Sequence, residues 1–173
     1  MYCQQKNETR LDTSKLLKLA RINKDVFDGN FNSCQLAGED LNNAYFPYSK
    51  FDRGNLHRVQ LKNAILNNTR FDHSDLSLAD CEDANLYFAS LVKANLAGTN
   101  LSGANLRYAD LSYANLRGAI LAKTDLHGAN LLGADLTGAI FAQTNLYQAR
   151  NVNYNHAYLD EFSIDIDGLP CIK

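Results

Sequence analysis

The residue types that could carry out nucleophilic or acid–base chemistry are present in this chain, but they form no recognisable catalytic pattern. Four histidines stand singly in the sequence: His57, His73, His127 and His156. No Ser or Cys nucleophile lies at an interpretable spacing from any of them. Asp72-His73-Ser74 contains the residue types of a catalytic triad, but adjacent residues on one turn cannot make the required chain of hydrogen bonds. We therefore predict no catalytic residues and no enzymatic activity.

Metal and cofactor binding lack a sequence signature as well. No H-x-x-x-H or C-x-x-C spacing is present, although such spacings are typical of metal ligands. The glycines recur with a repeat and do not form a phosphate-binding loop. Four cysteines, Cys3, Cys34, Cys81 and Cys171, are far apart in the sequence, which favours free thiols in a reducing compartment. We predict no metal and no cofactor, and we interpret Cys81 as a small core residue.

Charge and hydropathy narrow the class of protein further. Residues 1–25 hold six Lys or Arg and three acids, residues 26–150 hold ten and twelve, and residues 151–173 hold one and four. This balance makes direct nucleic-acid binding unfavourable. No stretch approaches the roughly 20 apolar residues that a membrane helix needs, and the first six residues open no apolar run of a secretory signal. We expect a cytoplasmic protein without a membrane span.

A five-residue repeat sets the position of most of these side chains. Every fifth residue from Phe31 to Leu146 is Leu or Phe, over 24 consecutive positions with Cys81 as the exception. Two residues before each of them lies a small side chain, and Glu39 is the clear violation. Neither the period of a strand nor that of a helix keeps such residues on one side. The pattern predicts a solenoid that turns a corner at every repeat.

Similarity at a spacing of twenty residues indicates that four repeats close one coil. Segment 118–126 matches segment 138–146, and Gly98, Gly118 and Gly138 share the spacing. The repeats then make six coils, a rod about 29 Å long at roughly 4.8 Å per coil. The Asn or Asp between the small and the large residue should point outward and bond neighbouring backbone. Gly or Asn two residues after the large one tolerates the positive φ of a type II turn.

The repeat units resemble those of a known family. Ala94-Asn95-Leu96-Ala97-Gly98, Ala104-Asn105-Leu106-Arg107-Tyr108 and Ala134-Asp135-Leu136-Thr137-Gly138 resemble the A-(D/N)-L-x-x consensus of pentapeptide repeat proteins. The resemblance extends over about 120 of the 173 residues. It implies a right-handed quadrilateral β-helix, an all-β solenoid of about six coils with ladders of Leu and Phe inside. We expect this domain to occupy residues 26–150.

Both ends of such a rod need a cover, because a solenoid exposes its core there. In the N-terminal segment 1–25, polar residues 12–14 offer N-cap oxygens, and residues 13–23 are predicted to form a short amphipathic capping helix. A basic helix that binds a membrane or a partner is the alternative. We expect Glu39 to pair with a basic side chain of this segment. Residues 151–173 lose the repeat and form either a C-terminal cap or a segment for homodimerisation, since some related families dimerise head to head at this end.

Sorting the outward residues by side of the coil gathers the aromatic residues on one face. The candidate protein-binding face is Tyr45, Tyr48, Tyr87, Phe88, Arg107, Tyr108, His127 and Tyr147, with Phe27 extending it. Exposed aromatics beside an Arg are typical of protein-binding surfaces. Stacking of tyrosines for the stability of the coils is the alternative. A second feature, Asp75, Asp80, Glu82 and Asp83, forms an acidic patch that is either solvated or receives a basic partner.

These observations favour a non-enzymatic module that binds a protein of unknown identity. The resemblance also implies an alternative, because some pentapeptide repeat proteins imitate duplex DNA and bind type II topoisomerases such as DNA gyrase. This chain departs from that group in two respects. Its repeat region has a net charge of only −2, and no inserted loop interrupts the register.

Overall fold

The computed structural model describes residues 26–163 and residue 167. The capping helix predicted for residues 13–23 lies outside the described residues. So does the basic partner predicted for Glu39, which would belong to segment 1–25. Within residues 26–163, no helix has the length and apolar character needed to cross a bilayer.

Parallel β-bridges join residues that are twenty positions apart along almost the whole described chain. They run from the Asn30–Lys50 bridge to the Asn130–Arg150 bridge. Residues 26–145 therefore make six coils of four units each, which confirms the predicted coil length. The first unit begins at Val26, one unit before the Leu/Phe pattern starts, because its N–H donates to the carbonyl of Tyr45 at 2.8 Å.

Regular strands are short in this fold. Strand β1 is Ile140–Phe141 and strand β2 is Tyr158–Leu159; they pair in parallel, Ile140 with Tyr158 and Phe141 with Leu159. Elsewhere in residues 26–163 neighbouring coils are joined by single bridges. The reason is that a turn follows every inward Leu or Phe, so the extended backbone between two turns is too short for a longer ladder.

Each unit has the same five positions, illustrated by residues 101–105. Leu101 is inward, Ser102 and Gly103 are the first and second turn positions, Ala104 is the corner position and Asn105 is the bridge position. The Ala104 N–H donates to the Leu101 carbonyl at 3.0 Å and closes the turn. The second turn position has positive φ in every unit from Asp28 to Gln148. This confirms the positive φ that the Gly and Asn residues predicted at this position.

The interior is a closed column of the inward and corner side chains. Leu86 is 3% exposed and Cys81, the exception to the Leu/Phe pattern, is 2% exposed. Burial raises the pKa of the Cys34 and Cys81 thiols to about 12. Thr at a corner position keeps its hydroxyl satisfied: Thr124 donates to the Leu101 carbonyl at 2.7 Å. Both cysteines are therefore core residues.

The bridge residue explains the Asn or Asp of the repeat. Four of the five N–H groups in a typical unit bond to backbone carbonyls, and the remaining one belongs to the first turn position. The bridge side chain of the preceding unit accepts this N–H. For example, Asn115 Oδ1 accepts the N–H of Arg117, two residues later, at 3.2 Å. Its amide also bonds the neighbouring coil, since Asn115 donates to Asn95 at 3.0 Å. The predicted outward, backbone-bonding role of this residue is confirmed.

The tail leaves the twenty-residue register after Arg150. Tyr158 pairs with Ile140, eighteen residues earlier. The Gln143 N–H donates to both carboxylate oxygens of Asp160 at 3.0 and 3.1 Å, and the Thr144 N–H donates to Ser163 Oγ at 3.1 Å. The hydrogen bond from the Gln143 N–H is the main cause that lowers the pKa of Asp160, and the hydrogen bond from the Ser163 hydroxyl lowers it further. The Asp160 carboxylate thus takes the place of the carbonyl that a further coil would supply to Gln143, as Ala142 does for Lys123. Ser163 Oγ accepts the corner N–H of Thr144, which in other units bonds to the inward carbonyl of the same unit.

Candidate protein-binding face

One of the four sides of the rod carries most of the outward aromatic side chains. We call it the aromatic wall and define it by its inward residues, which are Val26, Phe46, Leu66, Leu86, Leu106, Leu126 and Leu146. Its first turn positions include Tyr87, Arg107, His127 and Tyr147, and its second turn positions include Tyr48, Phe88 and Tyr108. Residues twenty apart lie in register on adjacent coils. The wall therefore places these rings in consecutive layers.

Five rings on this wall are in direct contact. Phe88 and Tyr108 stack with centroids 5.1 Å apart, and Tyr87 meets Phe88 edge-on at 4.6 Å. Tyr108 contacts His127 at 5.2 Å, and His127 contacts Tyr147 at 5.4 Å. A hydrogen bond of 3.0 Å joins His127 Nε2 and the Tyr108 hydroxyl. These five residues, which we call the ring ladder, form one continuous surface across consecutive coils.

The ring ladder is exposed although its members pack on one another. Phe88 is 50% exposed, Tyr108 39% and Tyr147 40%. Large apolar side chains with this exposure leave apolar surface in water, which monomeric proteins keep small unless it is used. The arrangement can therefore bury apolar area against a partner without moving the backbone.

The aromatic wall is divided, which differs from the single column expected from the sequence. Phe27 and Tyr48 contact each other at 5.1 Å, but the next coil contributes Asn67 and Asn68 at the turn positions. No ring contact among the described residues crosses that coil. Tyr45 occupies a bridge position, paired with Ile65, and has no ring contact within residues 26–163. The structure thus leaves Tyr45 and Tyr48 outside the ring ladder.

Gly128 positions the centre of the ring ladder, and sequence reasoning missed this role. Tyr108 has a φ of 58° at the second turn position, which directs its ring along the wall toward the next coil. A Cβ on Gly128 would lie 2.6 Å from two ring carbons of Tyr108. The same relation holds for Tyr113 and Gly133. A glycine twenty residues after a bulky second-turn residue is the sequence signal.

Arg107 is held by its neighbours. Its guanidinium lies 3.1 Å from an Asp125 carboxylate oxygen and 5.8 Å from the centre of the Tyr108 ring. The hydrogen bond to Asp125 raises the pKa of Arg107. Asp125 also accepts the backbone N–H of His127 at 3.0 Å. The charges of Arg107 and Asp125 beside the ring ladder therefore compensate each other. The surface is mainly apolar because the rings dominate it.

The predicted acidic patch is only partly brought together. Asp80, Glu82 and Asp83 lie on one side of the rod, where Glu82 pairs with Lys62 at 2.8 Å. Asp75 belongs to the preceding corner, because it is the bridge residue of the previous unit. It accepts hydrogen bonds from Ser77 and Asn95. Partial burial opposes ionisation of Asp75, but the bonds from Ser77 outweigh it and lower its pKa.

The side chains of the triad-like tripeptide diverge, as expected from their adjacency. Ser74 is buried and donates to the Phe71 carbonyl at 2.6 Å. His73 is exposed at a second turn position, and Asp72 pairs with Arg70 at 3.1 Å. Within the described part of the chain, no group of His, Cys, Asp and Glu is placed to hold a metal ion.

Comparison with known proteins agrees with the coil geometry. The family model described as pentapeptide repeats (8 copies) matches residues 55–87, 84–122 and 119–150. These ranges together run from residue 55 to residue 150, more than half of the chain. The chain belongs to the pentapeptide repeat family. Members of this family fold as right-handed quadrilateral β-helices.

Solved structures of pentapeptide repeat proteins are similar to this chain over most of its length. HetL, involved in heterocyst differentiation regulation in the cyanobacterium Nostoc sp. strain PCC 7120, is 24% identical with a TM-score of 0.42, covering 92% of this chain and 99% of HetL. Full-length QnrB1, a plasmid-mediated fluoroquinolone resistance protein, is 20% identical with a TM-score of 0.48, covering 84% and 80%. A protein from the Arabidopsis thaliana thylakoid lumen is 28% identical with a TM-score of 0.41, covering 66% of each chain. No curated protein matches the sequence.

Proposed function

We propose that this pentapeptide repeat protein is a non-enzymatic interaction module whose ring ladder binds another protein. One observation carries the proposal: five contacting rings share one wall of the rod and leave large parts of Phe88, Tyr108 and Tyr147 in water. Buried aromatic anchors dominate the binding energy of protein interfaces. The rod holds them on rigid turns, so binding loses little conformational entropy.

The aromatic rings could instead only stabilise neighbouring coils. Two residues on other walls allow this alternative to be separated from binding. Tyr113 is 56% exposed at a second turn position and lies over Gly133, and Leu78 is 48% exposed and lies over Gly98. They share the positive φ of Phe88 and Tyr108, and like Tyr108 they lie over a glycine, but they are on other walls. They are therefore matched controls.

A pull-down with three immobilised proteins as bait tests the proposal. These are the wild type, the Phe88→Ala plus Tyr108→Ala variant, and the Leu78→Ala plus Tyr113→Ala control. We expect the wild type and the control to retain the same partner and the ring-ladder variant to lose it. Thermal melts establish that all three are folded. Identical partner sets for the two variants would refute the binding role and leave a stabilising one.

Imitation of DNA toward a type II topoisomerase is the second candidate. It requires a long negative surface, whereas several acids on this rod are paired with cations. Ion pairs join Glu82 to Lys62, Asp125 to Arg107, and Asp135 to Arg117. A direct binding assay with DNA gyrase decides this point. Binding that weakens steeply with salt and survives loss of Phe88 and Tyr108 would favour the DNA-mimic function over ours.

The proposal includes a homodimer and a cytoplasmic location. Tyr158 and Phe162 are 65% and 67% exposed in the tail that closes the last coil, which supports a homodimer through the C-terminal end. Cys34 and Cys81 are free thiols, which supports a reducing compartment such as the cytoplasm. Sedimentation of the purified chain tests the dimer, and cell fractionation tests the location.

A further inference from the structure

A second surface of the rod concentrates positive charge. We call it the cationic wall and define it by five residues: Arg53, His73 and Lys93 at the second turn positions of the units whose inward residues are Phe51, Phe71 and Leu91, and the bridge residues Lys50 and Arg70 that immediately precede Phe51 and Phe71. It lies around the corner from the aromatic wall. A depression of about 420 Å³ opens on it, lined in part by Arg53, Arg70 and His73.

The two carboxylates on this wall, Asp52 and Asp72, accept hydrogen bonds from backbone N–H groups. The bridge positions here hold Lys50, Arg70 and Ser90. Lys and Arg side chains have no hydrogen-bond acceptor, and the Ser90 hydroxyl donates to the Asp72 carboxylate. The first-turn side chains accept the first-turn N–H of the next coil instead. Asp52 accepts the Asp72 N–H at 3.2 Å, and Asp72 accepts the Val92 N–H at 3.2 Å.

The remaining carboxylate oxygens are held by one arginine. Arg70 lies 3.0 Å from an oxygen of Asp52 and 3.1 Å from an oxygen of Asp72. Arg53 and Lys93 are exposed at second turn positions and make no ion pair with residues 26–163. The same holds for Lys50. The wall therefore presents cations whose charges no neighbour in the described chain compensates.

The charge of the rod is polarised across its width. Four cations and two carboxylates give the cationic wall a net charge of +2. The opposite side, half a coil away, holds Asp40, Lys62, Asp80, Glu82 and Asp83 over the same coils, a net charge of −3. An acidic ligand is therefore attracted to one side of the rod and repelled by the other.

We propose that the cationic wall docks an acidic, extended segment of a partner protein. Arg53 and Lys93 are two coils apart, about 10 Å, a distance that carboxylates along one extended peptide can span. The carboxylates of Asp52 and Asp72 are at the first turn positions of the same wall, each bonded to Arg70 and to one backbone N–H. A peptide can place amide N–H groups opposite these two carboxylates. A nucleic-acid backbone carries its charges continuously along the strand and would bring phosphates over them.

Charge-reversal variants of the full chain test this docking surface. The test variant is Arg53→Glu plus Lys93→Glu. The matched control is Arg58→Glu plus Lys123→Glu, which removes the same residue types at second turn positions on two other walls. All four residues are exposed with φ between 56° and 59°. The two variants therefore have the same net charge and the same backbone strain.

The probe is a fluorescent peptide of alternating Glu and Gly, with binding followed by anisotropy at low salt. We expect the test variant to bind at least about tenfold more weakly than wild type, and the control to stay within about twofold. Amide shifts in an NMR titration should centre on Arg53 and Lys93. The Phe88→Ala plus Tyr108→Ala variant should bind the peptide as wild type does, because the ring ladder is a separate surface.

Several outcomes would overturn the proposal. Equal losses in the test variant and the control would mean that only net charge matters. Tighter binding of a single-stranded RNA oligonucleotide than of the peptide would show that the cationic wall binds nucleic acid. A wild-type protein that does not bind the peptide would refute the proposed docking of an acidic segment. If the test variant does not fold, Arg53→Gln plus Lys93→Gln against Arg58→Gln plus Lys123→Gln answers the same question.

Discussion

Substitution of Gly128 by Ala should expose the packing that holds the ring ladder in place. The new Cβ would lie 2.6 Å from two ring carbons of Tyr108, closer than Cβ atoms come to any neighbour. The ring must therefore move. Gly118 is the matched control, since it has a φ of 64° against 68° for Gly128, and a Cβ there meets nothing within 4 Å.

The magnitude follows from what Tyr108 loses. Both substitutions place Ala at positive φ, which costs about 1 kcal/mol of unfolding free energy. Moving the Tyr108 ring also disturbs its stacking on Phe88, worth about 0.5–1.5 kcal/mol, and its hydrogen bond to His127, worth about 0.5–1.5 kcal/mol. Both contacts are partly exposed, so we take about 1 kcal/mol for the two together. We expect losses of about 2 kcal/mol for Gly128→Ala and about 1 kcal/mol for Gly118→Ala.

A double-mutant cycle with Tyr108→Ala isolates the steric part. Once the ring is absent, Gly128→Ala should destabilise the protein only as much as Gly118→Ala does, a coupling energy of about 1 kcal/mol. Urea unfolding gives these values if the slope against denaturant concentration is unchanged among the variants. The reasoning is refuted if the two glycine variants are equally stable, or if the cost of Gly128→Ala is the same with and without Tyr108.

Three further predictions concern the backbone, the tail and the core. Asn115→Ala removes the acceptor of the Arg117 N–H and should lower the unfolding free energy by about 1 kcal/mol, with faster hydrogen exchange at the Arg117 amide. Because the pKa of Asp160 is lowered in the folded protein, its stabilisation is complete above about pH 4 and is lost as pH falls through the folded pKa; Asp160→Asn should flatten the acid side of a plot of melting temperature against pH. Cys34 and Cys81, with pKa values of about 12, should resist iodoacetamide at pH 8 in the native protein and react after unfolding, as mapped by mass spectrometry.

Each of these predictions has a result that contradicts it. Unchanged exchange at Arg117 would show that the bridge side chain does not hold that amide. An acid transition with the same shape in Asp160→Asn would place the effect on other carboxylates. Alkylation of Cys81 in the native protein would mean that the coil opens locally.

Part of the aromatic wall could be predicted because residues twenty positions apart stack on neighbouring coils, and the sequence shows this twenty-residue repeat. The sequence also shows the interruption of the aromatic residues at Asn67 and Asn68. Assigning residues to walls does not, however, predict which rings are in contact. Contact depends on side-chain direction at the two turn positions, and the sequence leaves that direction open. The separation of Asp75 from Asp80 follows from the five-residue spacing, which moves each unit to the next corner.

The geometry of the coil could be derived from the amino-acid pattern alone. A large inward residue, a small corner residue and an Asn or Asp at the bridge recur every five positions, and each satisfies a local steric or hydrogen-bonding need that is the same in every unit. Which charges stay unpaired, and how the rod ends, could be read only from the three-dimensional structure. Whether Arg70 neutralises Asp52 and Asp72, and whether Asp160 replaces a missing carbonyl, depends on side chains from different coils meeting in space, and no period in the sequence encodes such meetings.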